Sequence, residues 1–184
     1  MKTTSDFKTQ GLVAQAAAWR LASLLLERPR PEWKSDIEKL CSEVSDRELS
    51  SCAKGADQGT EETYHRLFGP GGTVSPREVS YCGFEDPGRL MAELASFYDA
   101  FSFEPRREEP IDHISVEAGF VGYLFLKEAY AQMRGDTESV EITKKARERF
   151  TDEHIGRCTR GMIYRPSDIP PYLRGVLSWL AEKE

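Results

Sequence analysis

One run constrains the fold more than any other: Glu109-Pro110-Ile111-Asp112-His113-Ile114-Ser115-Val116-Glu117, continuing into Ala118-Gly119-Phe120-Val121-Gly122-Tyr123-Leu124-Phe125-Leu126. Pro110 ends whatever precedes it and biases Glu109 toward extended backbone. Asp112 is placed to cap a helix, its carboxylate accepting from free amides of the first turn. Ile111 and Val116 then have the spacing of a hydrophobic staple. From Val116 to Leu126 the only charge is Glu117, so the helix is expected to be buried on most of its circumference. Ala118, Gly119 and Gly122 add little bulk, which lets a neighbouring helix approach closely.

The flanking sequence supplies helical neighbours. Ser5 or Asp6 can start a helix reaching about Glu27, with Leu12, Ala16, Trp19 and Ser23 on one stripe and Leu21, Leu24 and Leu25 beside it. Residues 1–5 are expected to fray. Arg28-Pro29-Arg30-Pro31 stops this helix. Ser35-Asp36-Ile37-Glu38 and Ser45-Asp46-Arg47-Glu48 both read as capping boxes opening short helices, the second ending near Gly55. Thr60-Glu61-Glu62 starts a helix through Tyr64, Leu67 and Phe68 that Gly69-Pro70 ends. The stretch from Gly69 to Tyr81 is too rich in Gly and Pro for a helix, and loops of that length are often functional or mobile.

Asp86-Pro87 is a cap followed by a first-turn proline, and the helix behind it should bury Leu90, Leu94, Phe97 and Phe101. The central helix runs to about Arg134, where Gly135-Asp136 stops it. Thr137 to Phe150 is charged and reads as a surface helix. Asp152 is expected to cap a further segment with His154, Ile155 and Met162, Pro166 to Pro171 to break the chain, and Tyr172 to Ala181 to close it. No stretch sustains the two-residue alternation of a strand, nor an Asn-Gly or Asp-Gly hairpin signal. The expectation is an all-α, single globular domain over residues 1–184, with about eight or nine helices and one long Gly/Pro-rich loop at 69–81.

Composition excludes several classes of function. A net charge of −6 argues against nucleic acid as the main partner. No run reaches the roughly 18 to 20 apolar residues of a membrane span. The polar Met1 to Gln10 stretch lacks a signal-peptide pattern, so a cytoplasmic location without stable membrane insertion is expected. Cys41, Cys52, Cys82 and Cys158 are widely spaced with no Cys-x-x-Cys pair, which points to free buried thiols rather than a zinc ribbon.

Catalytic signatures are missing. Asp112 and His113 are adjacent, so on a helix their side chains diverge and cannot act as a dyad. No nucleophile elbow, Walker loop or dinucleotide fingerprint is present. A helical di-iron site needs two Glu-x-x-His pairs, and the chain has one, Glu62 with His65, while His113 and His154 lack a Glu three residues earlier. No metal or catalytic residue is therefore assigned. What remains is a binding surface built from Tyr64-Leu67-Phe68, the loop from Pro76 to Tyr81, and the Asp112-His113 helix start. An apolar groove edged by acids would suit a basic-then-apolar peptide. Plain structural roles also account for each part: Leu67 and Phe68 as core, Asp112 as cap, His113 as a solvated first-turn residue.

Three motifs in order resemble the TorD–DmsD–NarJ family of molybdoenzyme-specific maturation chaperones: Tyr64-His65-Arg66-Leu67-Phe68-Gly69-Pro70, Pro76-Arg77-Glu78-Val79-Ser80-Tyr81, and Glu109-Pro110-Ile111-Asp112-His113-Ile114. The Phe150 to Ile155 segment, Phe-x-x-x-His-Ile, adds weaker similarity. Glu78-Val79-Ser80-Tyr81 departs from the family's Glu-Ser-Val-Tyr, and Cys158 stands where an aromatic residue is common. The resemblance implies an all-helical, non-catalytic chaperone without a cofactor of its own, monomeric or homodimeric. Its partner would be the catalytic subunit of a molybdopterin oxidoreductase, bound through a twin-arginine leader or N-terminal segment while cofactor is inserted. A NarJ-type variant would serve a nitrate-reductase-like subunit that is not exported. On the resemblance, Asp112 and Glu78 would meet the arginines, and Leu67, Phe68, Pro76 and Tyr81 the apolar part of the peptide. Tyr64, Glu109, Pro110 and His113 would border that site, His113 bonding peptide backbone, and Arg66 would either join it or pair with Glu78 or another acid. The central helix would be its fixed base and the 69–81 loop the part that closes.

Overall fold

The computed structural model describes residues 4–106, 108–163 and 169–183. The expected fraying at Met1 to Thr3 and the break at Pro166 lie outside those residues. α1 spans Thr4–Leu26, α2 Trp33–Cys41, α3 Arg47–Gly55, α4 Glu61–Phe68, α5 Pro87–Ala100, α6 Ile114–Arg134, α7 Thr137–Phe150, α8 Gly156–Ile163 and α9 Pro171–Ala181. Single 3-10 turns lie at Ala56–Gln58 and Glu78–Tyr81, and a π-helical turn at Thr151–Ile155. The fold is all-α. Among the described residues there is no strand, only an isolated antiparallel bridge between Arg77 and His113.

The most extensive helix pair is α1 with α6. They approach closely where side chains are small: a Cβ on Gly122 would lie 3.3 Å from the Ala16 carbonyl oxygen and from Trp19 Cβ. Beside this crossing the Ser23 hydroxyl donates to the Ser115 carbonyl across 2.8 Å. α3 and α8 pack on α9, and Trp19 meets Trp179 edge to face at 5.3 Å. On the other side of α6, Phe120 packs against Tyr98 and Phe150, each at 4.8 Å between ring centroids. A fully buried Phe contributes about 1.5–3 kcal/mol through its apolar area alone, so these rings hold α5, α6 and α7 together.

Local rules account for many helix ends. Thr60, Asp86 and Asp136 cap α4, α5 and α7 through their side-chain oxygens, as their sequence positions imply. Gly135 takes φ 69° and closes α6 in the left-handed conformation.

Other expectations fail for tertiary reasons. α3 is capped by Asp46 rather than Ser45. α2 starts at Trp33 instead of at Ser35, with no side-chain cap. Trp33 is buried against α1, its indole donating to the Leu24 carbonyl, and Asp36 is occupied by Arg30 at 2.8 Å. Packing sets that helix start. Asp152 caps nothing, because α7 runs through the π turn into α8 without a break. Within α5, Leu90, Leu94 and Tyr98 are buried and Phe97 half-buried, as is Phe101 just past its end. All four cysteines are free thiols, Cys52 and Cys158 buried but Cys41 and Cys82 partly exposed. No helix among the described residues is long and apolar enough to cross a membrane.

The α1–α6 crossing yields a direct test. Gly122→Leu should destabilise the chain by about 3 kcal/mol, because the added carbons meet backbone rather than a movable side chain. Urea denaturation would show the midpoint fall, and an unchanged midpoint would refute this close approach.

Candidate functional site

The three sequence motifs do converge, but Glu78, Asp112 and His113 among their polar side chains face inward. Asp112 is fully buried and does not cap α6. Its Oδ1 accepts from Arg77 Nε at 2.8 Å and Nη2 at 2.7 Å, and its Oδ2 accepts from the Val79 amide at 3.3 Å. The backbone joins the same two segments: the Glu78 amide donates to the Asp112 carbonyl and the Ile114 amide to the Pro76 carbonyl, each at 2.9 Å. Residues 76–79, within the 69–81 loop, are therefore tied to the start of α6. Tyr81 reinforces this by donating to the Ser75 carbonyl at 2.7 Å.

His113 replaces Asp112 as the α6 cap, with Nδ1 accepting from the Ser115 amide at 3.1 Å. This register makes Asp112 and Glu117, not Ile111 and Val116, the residues at the staple positions. Only 1% of His113 is exposed, which overturns the solvated reading. Burial depresses its pKa to about 4, with Asp112 opposing and Arg77 reinforcing the shift. An Nδ1 that accepts leaves the hydrogen of the neutral ring on Nε2, which faces Tyr64 Oη at 3.0 Å. Tyr64 in turn donates to Glu109 at 3.3 Å. Burial raises the Glu109 carboxyl, and burial with Glu109 raises the Tyr64 phenol.

Glu78 is the second buried acid. His154 Nδ1 donates to it at 2.9 Å and Arg157 Nη1 at 3.0 Å. Arg66 does not pair with it; among the described residues the exposed Arg66 makes no ion pair. Glu117 is the third, on the first turns of α6, and sequence reading assigned it no role. It has no exposed surface, and among the described residues neither carboxylate oxygen meets a hydrogen-bond donor. Desolvation, then the charge of Glu78 and a hydrogen bond to it, hold its pKa well above the carboxylate range. A carboxyl that keeps its proton can donate to Glu78, which reconciles the missing donors with this bond. Its only sequence signal was a lone charge in the apolar run from Val116 to Leu126.

Of the other expected site residues, Leu67 and Pro76 are buried, Phe68 and Tyr81 half-buried, and Pro110 exposed. Glu62 and His65 lie exposed on α4, His65 facing Glu61 at 3.5 Å. They meet no second Glu-x-x-His pair, so the di-iron arrangement does not form.

Beside Glu109 opens a cleft of about 700 Å³ between the end of α1, the 103–109 connection and the start of α6. Phe103, Val116 and Gly119 give it an apolar floor. Its rim carries both signs, with Arg28 paired to Glu61 and Arg30 to Glu27. Glu104 and Glu108 on the rim are exposed and have no ion-pair partner among the described residues. Sequence reading placed Glu109 here but missed the contributions of α1 and of Phe103 to Arg106 and Glu108, which no motif marks.

A family model, described as nitrate reductase delta subunit, matches residues 29–157. The chain belongs to that family, and its class is the assembly chaperones of molybdoenzymes. No curated protein matches the chain.

The buried acids predict an unusual pH response. A protonated Glu117 costs stability as pH rises above the unfolded carboxyl value of 4.5, because only the unfolded chain releases the proton. His113 acts on the other side: its depressed folded pKa means stability is lost as pH falls from 6.5 toward about 4. Glu117→Gln mimics the protonated carboxyl, so its stability relative to wild type should improve by up to about 1.4 kcal/mol for each pH unit between 6 and 8. Urea denaturation across that range tests it, and a constant or shrinking difference would contradict the buried proton.

Proposed function

We propose that the chain is a maturation chaperone that binds the twin-arginine leader or N-terminal segment of a molybdopterin oxidoreductase catalytic subunit, in the cleft between α1 and the start of α6. The observation that carries this reading is the pairing of an apolar floor, Phe103 and Val116, with two exposed rim acids, Glu104 and Glu108, that make no ion pair among the described residues. A leader with arginines followed by an apolar stretch matches both parts, and the charge of −6 favours a basic ligand. Family membership supports a molybdoenzyme client.

The buried motif acids act on this cleft from behind. Asp112 and Glu78 are committed to Arg77, His154 and Arg157, so they position the walls instead of meeting the ligand's arginines. The His113–Tyr64–Glu109 chain ends at the cleft and orients Glu109, whose side chain remains partly exposed. Binding of this kind needs no catalytic group and no cofactor held by the chaperone; the client carries the molybdopterin. The family's description favours one variant, in which the client is a nitrate-reductase-like subunit retained in the cytoplasm.

Calorimetry with a twin-arginine peptide tests the reading. Glu104→Gln with Glu108→Gln should weaken binding about tenfold or more while leaving the urea midpoint unchanged. Asp112→Ala should instead lower stability by about 1–3 kcal/mol, since it strands the Val79 amide and Arg77. Equal affinity for wild type and the double variant would remove the cleft as the site. Capture of the client and sequencing of its N-terminus separates an exported client from a retained one.

A further inference from the structure

His154 has two ring nitrogens with contrasting surroundings. Nδ1 donates to the Glu78 carboxylate at 2.9 and 3.1 Å to its two oxygens. Nε2 is buried and meets no hydrogen-bond partner among the described residues, although the residue is only 1% exposed. An orphaned nitrogen in such a place is costly unless something meets it. With hydrogen fixed on Nδ1 by a carboxylate, the neutral ring presents its lone pair at Nε2. That is the arrangement in which a metal-ligating histidine is held by an outer carboxylate.

Two further donors stand beside this ring. Glu93 on α5 and Glu153 in the π turn each bring a carboxylate oxygen to it, and the three ligand atoms lie within 4.8 Å of one another. Oxygen and nitrogen ligands about 2.1 Å from a tetrahedral ion are separated by about 3.4 Å, so modest side-chain rotation closes the set. The π turn matters here: such turns interrupt helices often at functional sites, and this one carries Glu153 and His154 in succession. We propose that Glu93, Glu153 and His154 form a binding site for one first-row divalent cation, with water completing its shell. Two carboxylates and one imidazole suit zinc, manganese or iron(II) rather than a soft ion such as copper(I).

Arg149 is the competitor. Its Nη2 donates to Glu93 at 3.0 Å and its Nε to Glu153 at 2.8 Å. The guanidinium is more than half exposed, as its 57% side-chain accessibility shows, so it can turn outward when a cation enters. Each carboxylate also keeps an oxygen that Arg149 does not hold. A bound ion would clamp α5 to the π turn and, through the imidazole, draw on Glu78 and the buried cluster behind it. This site is separate from the peptide cleft and does not depend on that reading.

The test uses the full chain, stripped with chelator, titrated with Zn²⁺ by calorimetry and with Co²⁺ by visible absorption. One ion per chain should bind, with a ligand-field spectrum and a rise in Tm. Glu93→Gln with Glu153→Gln should weaken binding at least tenfold and abolish the Co²⁺ spectrum, while peptide affinity and helical content are unchanged. Arg149→Gln should tighten binding several-fold by removing the competing cation. Absence of stoichiometric binding at millimolar ion, or binding that survives the double Gln variant, would overturn the proposal; the second outcome would place the ion elsewhere.

Discussion

The structure depends on a set of charges buried where the 76–82 segment, the start of α6 and the π turn meet. Asp112 holds Arg77, and Glu78 holds His154 and Arg157. Removing such groups from water is expensive, and their mutual attraction offsets the cost only with good geometry and full hydrogen bonding. Asp112 meets that condition with its carboxylate shared between Arg77 and the Val79 amide. Arg77 and Arg157 each reach partly into solvent, which lowers their own desolvation cost.

Glu117 is what allows three acids to share one interior. Were it ionised, its charge beside Glu78 would have no cation of its own, so the proton stays and becomes a donor. His113 makes the complementary choice by remaining neutral, which frees Nδ1 to cap α6 and Nε2 to reach Tyr64. One acid protonated and one base unprotonated leave the helix start rigid without adding charge. A rigid start gives the adjoining cleft walls that do not have to be ordered on binding, which favours affinity.

Legibility followed the range of the interaction. Caps such as Thr60 and Asp86 bond amides two or three residues away, and they were readable. Where a distant group competed, reading failed. Burial of Trp33 against α1 moved the start of α2 ahead of Ser35, Asp46 took a cap from Ser45 while also accepting from Trp179, and Asp112 was drawn to Arg77. The motif residues were correctly brought together, yet their exposure was misjudged, because a carboxylate at a helix start looks alike in sequence whether it faces a ligand or an arginine.

The sequence by itself determined the helical class, because its apolar spacing and helix-end residues act over a turn or two of chain. It also determined that the run from Glu117 to Phe125 is largely core and that its small residues admit a partner helix, although Leu126 at its end is exposed. Only the tertiary structure decided which acid caps, which pairs and which keeps its proton. Those outcomes depend on the cations and the depth of burial that segments 35 residues or more apart in sequence, such as Arg77 with Asp112 and Glu78 with His154, bring to one another.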